Sequence, residues 1–155
     1  MNIWGIDCSS KNIAISSFKY EDLDWTICLT CDIKDTQLRI LELCKIFERI
    51  INKNLPDKVF IEESIFVQNF KTSKAITEVI GNIKWICNGR KVPFETVQNR
   101  VWKKKVIGNG GCSKEDIAEF VKKKFPKVKD EPQDVFDCVG VGLWGIKKVE
   151  EEKSD

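Results

Sequence analysis

Histidine is absent from this sequence. Its absence excludes Ser-His-Asp and Cys-His catalysis, histidine-ligated zinc and histidine general-base chemistry together. Hydrolytic chemistry would have to rest on carboxylates, lysines, cysteines or a metal. Long apolar runs are also missing: none approaches the roughly 18 to 20 residues of a membrane-spanning helix. The opening Met1-Asn2-Ile3-Trp4 has neither the basic start nor the apolar stretch of a signal peptide. No membrane partner is expected, and a soluble cytoplasmic protein is. Proline and glycine are sparse, at 4 and 9 residues, which excludes collagen-like and low-complexity classes. A second Cys-x-x-C to pair with Cys28 and Cys31 is lacking too, so a zinc site is incomplete. That one pair sits in a strand-like run, which points its two side chains to opposite faces.

The chain has 155 residues, 42% hydrophobic and 32% charged. That suits one domain with a real core, expected over 1–149 and followed by a disordered acidic tail at 150–155. The seven cysteines are scattered among apolar residues and read as reduced, mostly buried thiols. Net charge is only +2, but it is unevenly spread. Residues 1–63 hold 8 basic and 11 acidic side chains, residues 64–149 hold 17 and 9, and the last six hold 1 and 4. The basic middle and C-terminal part suits a polyanionic partner or a lysine-rich solvated surface.

Three strand-like runs come first, Ile3 to Asp7, Asn12 to Phe18 and Trp25 to Cys31, joined by short turns that suit an antiparallel meander. Over 35–53 the period changes. Ile40, Leu43, Cys44, Phe47, Ile50 and Ile51 form one helical face. Val59-Phe60-Ile61 is short enough for a buried parallel strand. A polar loop over 64–72 carries Ile65 and Phe66, and a helix follows over about 73–88, with Gly89 as its stop. Val92 to Val97 reads as a further strand. Arg100 to Lys105 is a basic segment around Trp102. Ser113 to Asp116 resembles a capping box opening a helix, and Pro132 introduces a last helix ending near Lys148. The order βββαβαβαα predicts an α/β fold, a mixed five-stranded sheet flanked by helices.

Four acids occupy unusual places. Asp7 and Glu62 directly follow apolar strand runs, where an unpaired carboxylate is costly. Asp134 and Asp137 are three apart, on one face of the last helix. A divalent cation would offset the cost, and oxygen ligands alone favour magnesium or manganese. Each acid also has a structural reading. Asp7 can form a turn before Ser9 and Ser10, Glu62 or Glu63 can pair with a lysine, and Asp134 can favour the helix N-terminal dipole.

Taken together, Gly5-Ile6-Asp7, Ile61-Glu62 and Asp134-Val135-Phe136-Asp137-Cys138 resemble the ribonuclease H-like nucleases, specifically the RuvC family of Holliday junction resolvases. The resemblance spans Ile3 to about Lys148. Asn69, seven after Glu62, matches a family position, as does the stretch Val101 to Lys114 with Lys103, Gly108, Gly110 and Lys114. It implies a ribonuclease H-like fold, with three antiparallel strands and then parallel ones. It also implies that Asp7, Glu62, Asp134 and Asp137 hold two magnesium or manganese ions, cutting DNA to a 5′-phosphate and a 3′-hydroxyl. Lys114 resembles a family lysine near the active site and Lys103 a backbone-contacting one. The helix at 73–88 looks like the family's dimer helix, which implies a homodimer placing two active sites on a four-way junction. The nucleoid or a site of viral replication becomes a candidate location.

The chain departs from the family pattern in places. Glu63 adjoins Glu62, so the ligand assignment could slip by one; strand alternation points only one of them inward, and the spacing to Asn69 favours Glu62. Ile65 stands where the family often has a strand-separating aromatic, and Phe66 follows it. The family's D-A-A-D-A signature is bulkier here, and the short, divergent chain resembles viral or phage members. Lys103, Lys104 and Lys105 beside Trp102, with Lys71, Lys74 and Lys114, read as a DNA-backbone surface or as a solvated patch. Gly108 to Gly111 is not followed by Gly-Lys-Ser/Thr, so it reads as a hinge or close-approach loop rather than a nucleotide loop. Three rival functions stay open: a nuclease for branched DNA or RNA–DNA hybrids more broadly, an inactive nucleic-acid-binding module, and an actin-like or sugar-kinase ATPase. The last needs two lobes, which 155 residues do not hold.

Overall fold

The first strand organises the molecule. In the computed structural model, which describes residues 1–63 and 69–155, β1 (Asn2–Cys8) is the middle strand of a five-stranded sheet. It pairs antiparallel with β2 (Asn12–Lys19), which pairs antiparallel with β3 (Asp22–Thr30). On its other side it runs parallel to β4 (Lys58–Glu62), and β4 runs parallel to β5 (Phe94–Val97). The order β3-β2-β1-β4-β5 is the mixed sheet expected from the sequence.

Strand alternation sends β1 side chains to two separate cores. Trp4 and Ile6 pack with α1 (Thr36–Lys53) and α2 (Phe70–Gly89), against Leu43, Phe47, Val79 and Ile83. Ile3 joins Phe18, Phe60, Val135 and Val139 on the opposite side, under α5 (Gln133–Ser154). Asp7 has the parity of Ile3, and Glu62 that of Phe60, so both acids face α5. Fully burying a side chain the size of Ile6 or Phe60 contributes about 1.5–3 kcal/mol, which fixes this parity against a one-residue slip. Cys28 and Cys31 divide as expected, one against each core, and all seven cysteines are free thiols.

The last helix lies unusually close to the sheet. A Cβ at Gly5 would stand 2.3 Å from the Cys138 carbonyl oxygen and from the Gly142 nitrogen. Only a glycine on β1 lets the two backbones approach this way. The buried Ser16 hydroxyl donates to the Cys138 carbonyl at 2.8 Å, tying the same turn of α5 to β2.

Three elements differ from the sequence reading. The basic segment is a helix, α3 (Asn99–Ile107), closed by Gly108 in the left-handed conformation at φ 98°. Its two buried residues, Trp102 and Val106, form a single i,i+4 pair, too short a pattern to reveal a helix among lysines. Second, α2 starts at Phe70 rather than 73, because the Asn69 side chain caps it by accepting from the Lys71 and Thr72 N–H groups. Third, α5 continues to Ser154 instead of ending near Lys148, so most of 150–155 is helical rather than disordered. Glu151 pairs with Lys105, and Glu152 lies 3.7 Å from Lys58. The expected capping box is present at α4 (Lys114–Lys124), where Ser113 and Asp116 bond each other's backbone N–H.

Candidate active site

Asp7 stands near the C-terminal end of β1, beneath the first turns of α5. Asp134 lies in the first turn of α5 and Asp137 one turn further on, so both hang over the end of the strand. One carboxylate oxygen from each of Asp7, Asp134 and Asp137 lies within 4.8 Å of the other two. Asp137 is only 9% exposed. Asn12, opening β2, donates its side-chain N–H to Asp134 Oδ2 at 2.8 Å. Gln133 donates to Asp137 Oδ1 at 3.3 Å.

Glu62 stands beside this group at the end of β4. It is half-buried while Glu63 is exposed, so parity removes the one-residue ambiguity. Both of its oxygens are engaged from α3. Asn99 Nδ2 donates to Oε1 at 3.1 Å, and Trp102 Nε1 donates to Oε2 at 2.7 Å.

The electrostatics follow from crowding acids in a desolvated cleft. Burial pushes the Asp7 carboxyl well above its ordinary value, and the charges of Glu62, Asp137 and Asp134 push it further, against Lys114. Burial, then Glu62, raises Asp137 to about 6, opposed by the Gln133 hydrogen bond and by Lys114 and Lys103. Carboxylates that repel one another are stable together only when protons or a cation neutralise them. An all-oxygen donor set suits a hard divalent ion such as magnesium or manganese, and these residues fit one.

The lysines separate into two groups. Lys114, at the start of α4, and Lys103 both act on the acid cluster through their charge. Lys103 Nζ also lies 5.9 Å from the Trp102 ring centroid. Lys105 instead pairs with Glu151 at the far end of α5, and Lys104 lines a hollow there with Val101, Trp144 and Lys148. Asn69 serves as the cap of α2, and Lys71 lines a cleft of about 300 Å³ with Ser10, Thr36, Thr72 and Lys74. Ile65 and Phe66, the two strand-separation candidates, lie outside the described residues.

Five participants were not anticipated: Asn12, Asn99, Gln133, Gly140 and the indole N–H of Trp102. A Cβ at Gly140 would lie 2.3 Å from the Trp102 ring, so this glycine admits the indole beneath α5. Glycines at 140, 142 and 145 in an otherwise apolar helix were the available signal of close packing. Nothing in the sequence distinguishes Asn12 from any turn asparagine.

Comparison with known proteins agrees with this geometry. Residues 4–144 match the family model of the crossover junction endodeoxyribonuclease RuvC. The RuvC of Sulfurovum sp. (strain NBC37-1) is 26% identical, with 99% of each chain covered. That of Alkaliphilus oremlandii is 30% identical, over 92% of this chain and 91% of its own. A structure of T. thermophilus RuvC in complex with a Holliday junction substrate has a TM-score of 0.86 at 16% identity, covering 98% of this chain and 96% of that one. The Fowlpox virus resolvase, in a structure with its Holliday junction DNA, gives 0.63 at 17% identity, covering 96% of this chain and 99% of that one. The backbone therefore lies nearer the Thermus enzyme than the viral one, and the expected ribonuclease H-like architecture is the one found. With most of its length matched by that model, this chain belongs to the RuvC family of crossover junction endodeoxyribonucleases.

Proposed function

We propose that this protein is a metal-dependent, structure-selective DNA endonuclease that resolves four-way junctions by paired symmetric nicks, leaving 5′-phosphate and 3′-hydroxyl ends. The observation that carries the reading is the convergence of Asp7, Asp134 and Asp137 within 4.8 Å, with Glu62 alongside. These four carboxylates would hold magnesium or manganese, two ions per site. Bound divalent ions supply Lewis-acid charge at the scissile phosphate and lower the pKa of water. The protein's own residues do the rest. Asn12 and Gln133 orient Asp134 and Asp137. Lys114 brings positive charge to the rim of the cluster, where a phosphate oxygen becomes more negative as the bond breaks. Lys103 meets the DNA backbone beside the cut, with Asn69 and Lys71 as further backbone contacts and Ile65 or Phe66 as the strand-separating wedge, while Lys104 and Lys105, turned toward the far end of α5, stand apart from this contact.

Paired nicks need two active sites, and α2 suits a two-fold contact. Its outer stripe carries Phe70 and Trp85, 78% and 70% exposed, and between them Gly81, where a Cβ would meet nothing within 4 Å. Large exposed aromatics around a small residue favour close packing of a second helix. Trp85→Glu should sediment as a monomer and lose simultaneous nicking. A mutant that stays dimeric contradicts this surface. Among the described residues, no helix is long and apolar enough to cross a membrane.

A denaturing-gel assay on a synthetic four-way junction, a fork and an RNA–DNA hybrid tests the proposal. The expected result is symmetric, ligatable nicks in the junction, dependent on magnesium. Equal cutting of all three substrates would remove junction selectivity and leave a general nuclease of this fold.

A further inference from the structure

We infer that Trp102 is a positioning residue for Glu62: with the Asn99 amide, its indole N–H sets where the Glu62 carboxylate stands relative to Asp7 and Asp137. The inference rests on the metal-dependent reading above. Asn99 and Trp102 are three apart on α3 and so share one face. Their donors reach different oxygens, Oε1 at 3.1 Å and Oε2 at 2.7 Å. Two bonds to two oxygens fix the rotation of the carboxylate as well as its place, whereas one bond would leave it free to turn.

The indole is itself immobile. Trp102 is fully buried, and its ring fills the notch that Gly140 leaves in α5. Gly140 is three residues beyond Asp137 on the same helix. The ring therefore acts as a spacer between the strand end bearing Glu62 and the helix bearing Asp134 and Asp137. The Lys103 ammonium lies 5.9 Å from the ring centroid, within reach of a cation–π attraction to the indole face.

The choice of donor has a consequence for cation binding. An arginine or lysine at this place could grip the carboxylate as firmly, but would add positive charge beside acids that must attract cations. An indole N–H donates a single hydrogen bond, accepts none and carries no net charge. It orients Glu62 while lowering the negative potential of the cleft far less than a cationic side chain would. Outer partners of this kind typically change metal affinity 10- to 100-fold.

The test uses ¹H–¹⁵N spectra of the full chain, in which the five tryptophans give five indole resonances, assigned through bonds. Magnesium should move the Trp102 indole resonance more than the other four, and Glu62→Gln should move it without magnesium. Manganese calorimetry should show Trp102→Phe binding the ion about 10-fold more weakly. If that variant does not fold, the spectra of the wild-type and Glu62→Gln proteins still decide. Magnesium binding with the Trp102 resonance unmoved by either change overturns the inference alone. No response to magnesium at any resonance overturns the metal-dependent reading on which it rests.

Discussion

Asn12 and Asp134 are 122 positions apart in sequence, yet the asparagine amide donates to Asp134 Oδ2 at 2.8 Å. The bond joins the start of β2 to the first turn of α5, so one side chain sets both the rotamer of an acid and the seating of the helix that carries it. Removing the amide leaves Asp134 free to turn toward solvent. Asn12→Ala is expected to weaken manganese binding about 10-fold, in the range typical of outer-shell partners, with a smaller effect on melting temperature. Isothermal calorimetry with manganese checks this. Unchanged affinity would make the contact purely structural.

The raised Asp137 carboxyl predicts a pH-dependent stability of the metal-free protein. Its value is about 6 in the fold against an ordinary 3.8. Between those values the folded protein holds a proton that the unfolded chain has released. Stability from this group is therefore fully present below about pH 3.8 and is lost as pH rises through about 6. Asparagine cannot ionise and escapes the loss. Asp137→Asn should stabilise the protein at pH 7.5 in EDTA by up to ~3 kcal/mol, from ~1.4 kcal/mol per tenfold change, and by little near pH 4. Asp7, raised in the same direction, would add to the trend. Melts across this range, with and without magnesium, read it out. A variant less stable than the parent at pH 7.5 in EDTA contradicts the crowding argument.

Much of this arrangement was legible in the chain, and the illegible parts have physical reasons. Asp7 and Glu62 stood out because each ended an apolar strand run; alternation allowed only one of Glu62 and Glu63 to point inward, the spacing to Asn69 favoured Glu62, and the burial of Glu62 beside an exposed Glu63 agrees. Asp134 and Asp137 stood out because a spacing of three places two acids on one helical face. Their convergence on Asp7 is a tertiary fact, created by the close seating of α5 on Gly5. The α3 helix was hidden because only Trp102 and Val106 bury themselves among its lysines. The run Lys103 to Lys105 looked like one patch. Helical geometry turns consecutive residues about 100° apart, and so Lys103 acts on the acids while Lys105 pairs with Glu151.

Gly5, the one glycine in the five described strands, should be hard to replace. An alanine methyl there would collide with backbone atoms of Cys138 and Gly142, which cannot rotate away as a side chain could. Gly5→Ala is predicted to cost at least ~1–3 kcal/mol, as for other overpacked cores, and to lower the melting temperature visibly. It should also reduce magnesium-dependent cleavage, because lifting α5 separates Asp134 and Asp137 from Asp7. Calorimetric unfolding beside a cleavage assay tests both parts. A neutral effect on each would show that α5 does not depend on this contact.

If the carboxylates around Asp7 form a metal site that cuts DNA, removing one of them must stop the cutting and spare the binding. Single-turnover cleavage of a synthetic four-way junction by Asp7→Asn, in saturating magnesium and with binding followed in the same samples, tests it most directly. Full junction binding with no detectable magnesium-dependent nicking is the expected result. Cleavage that persists at the parent rate in this variant would contradict the assignment.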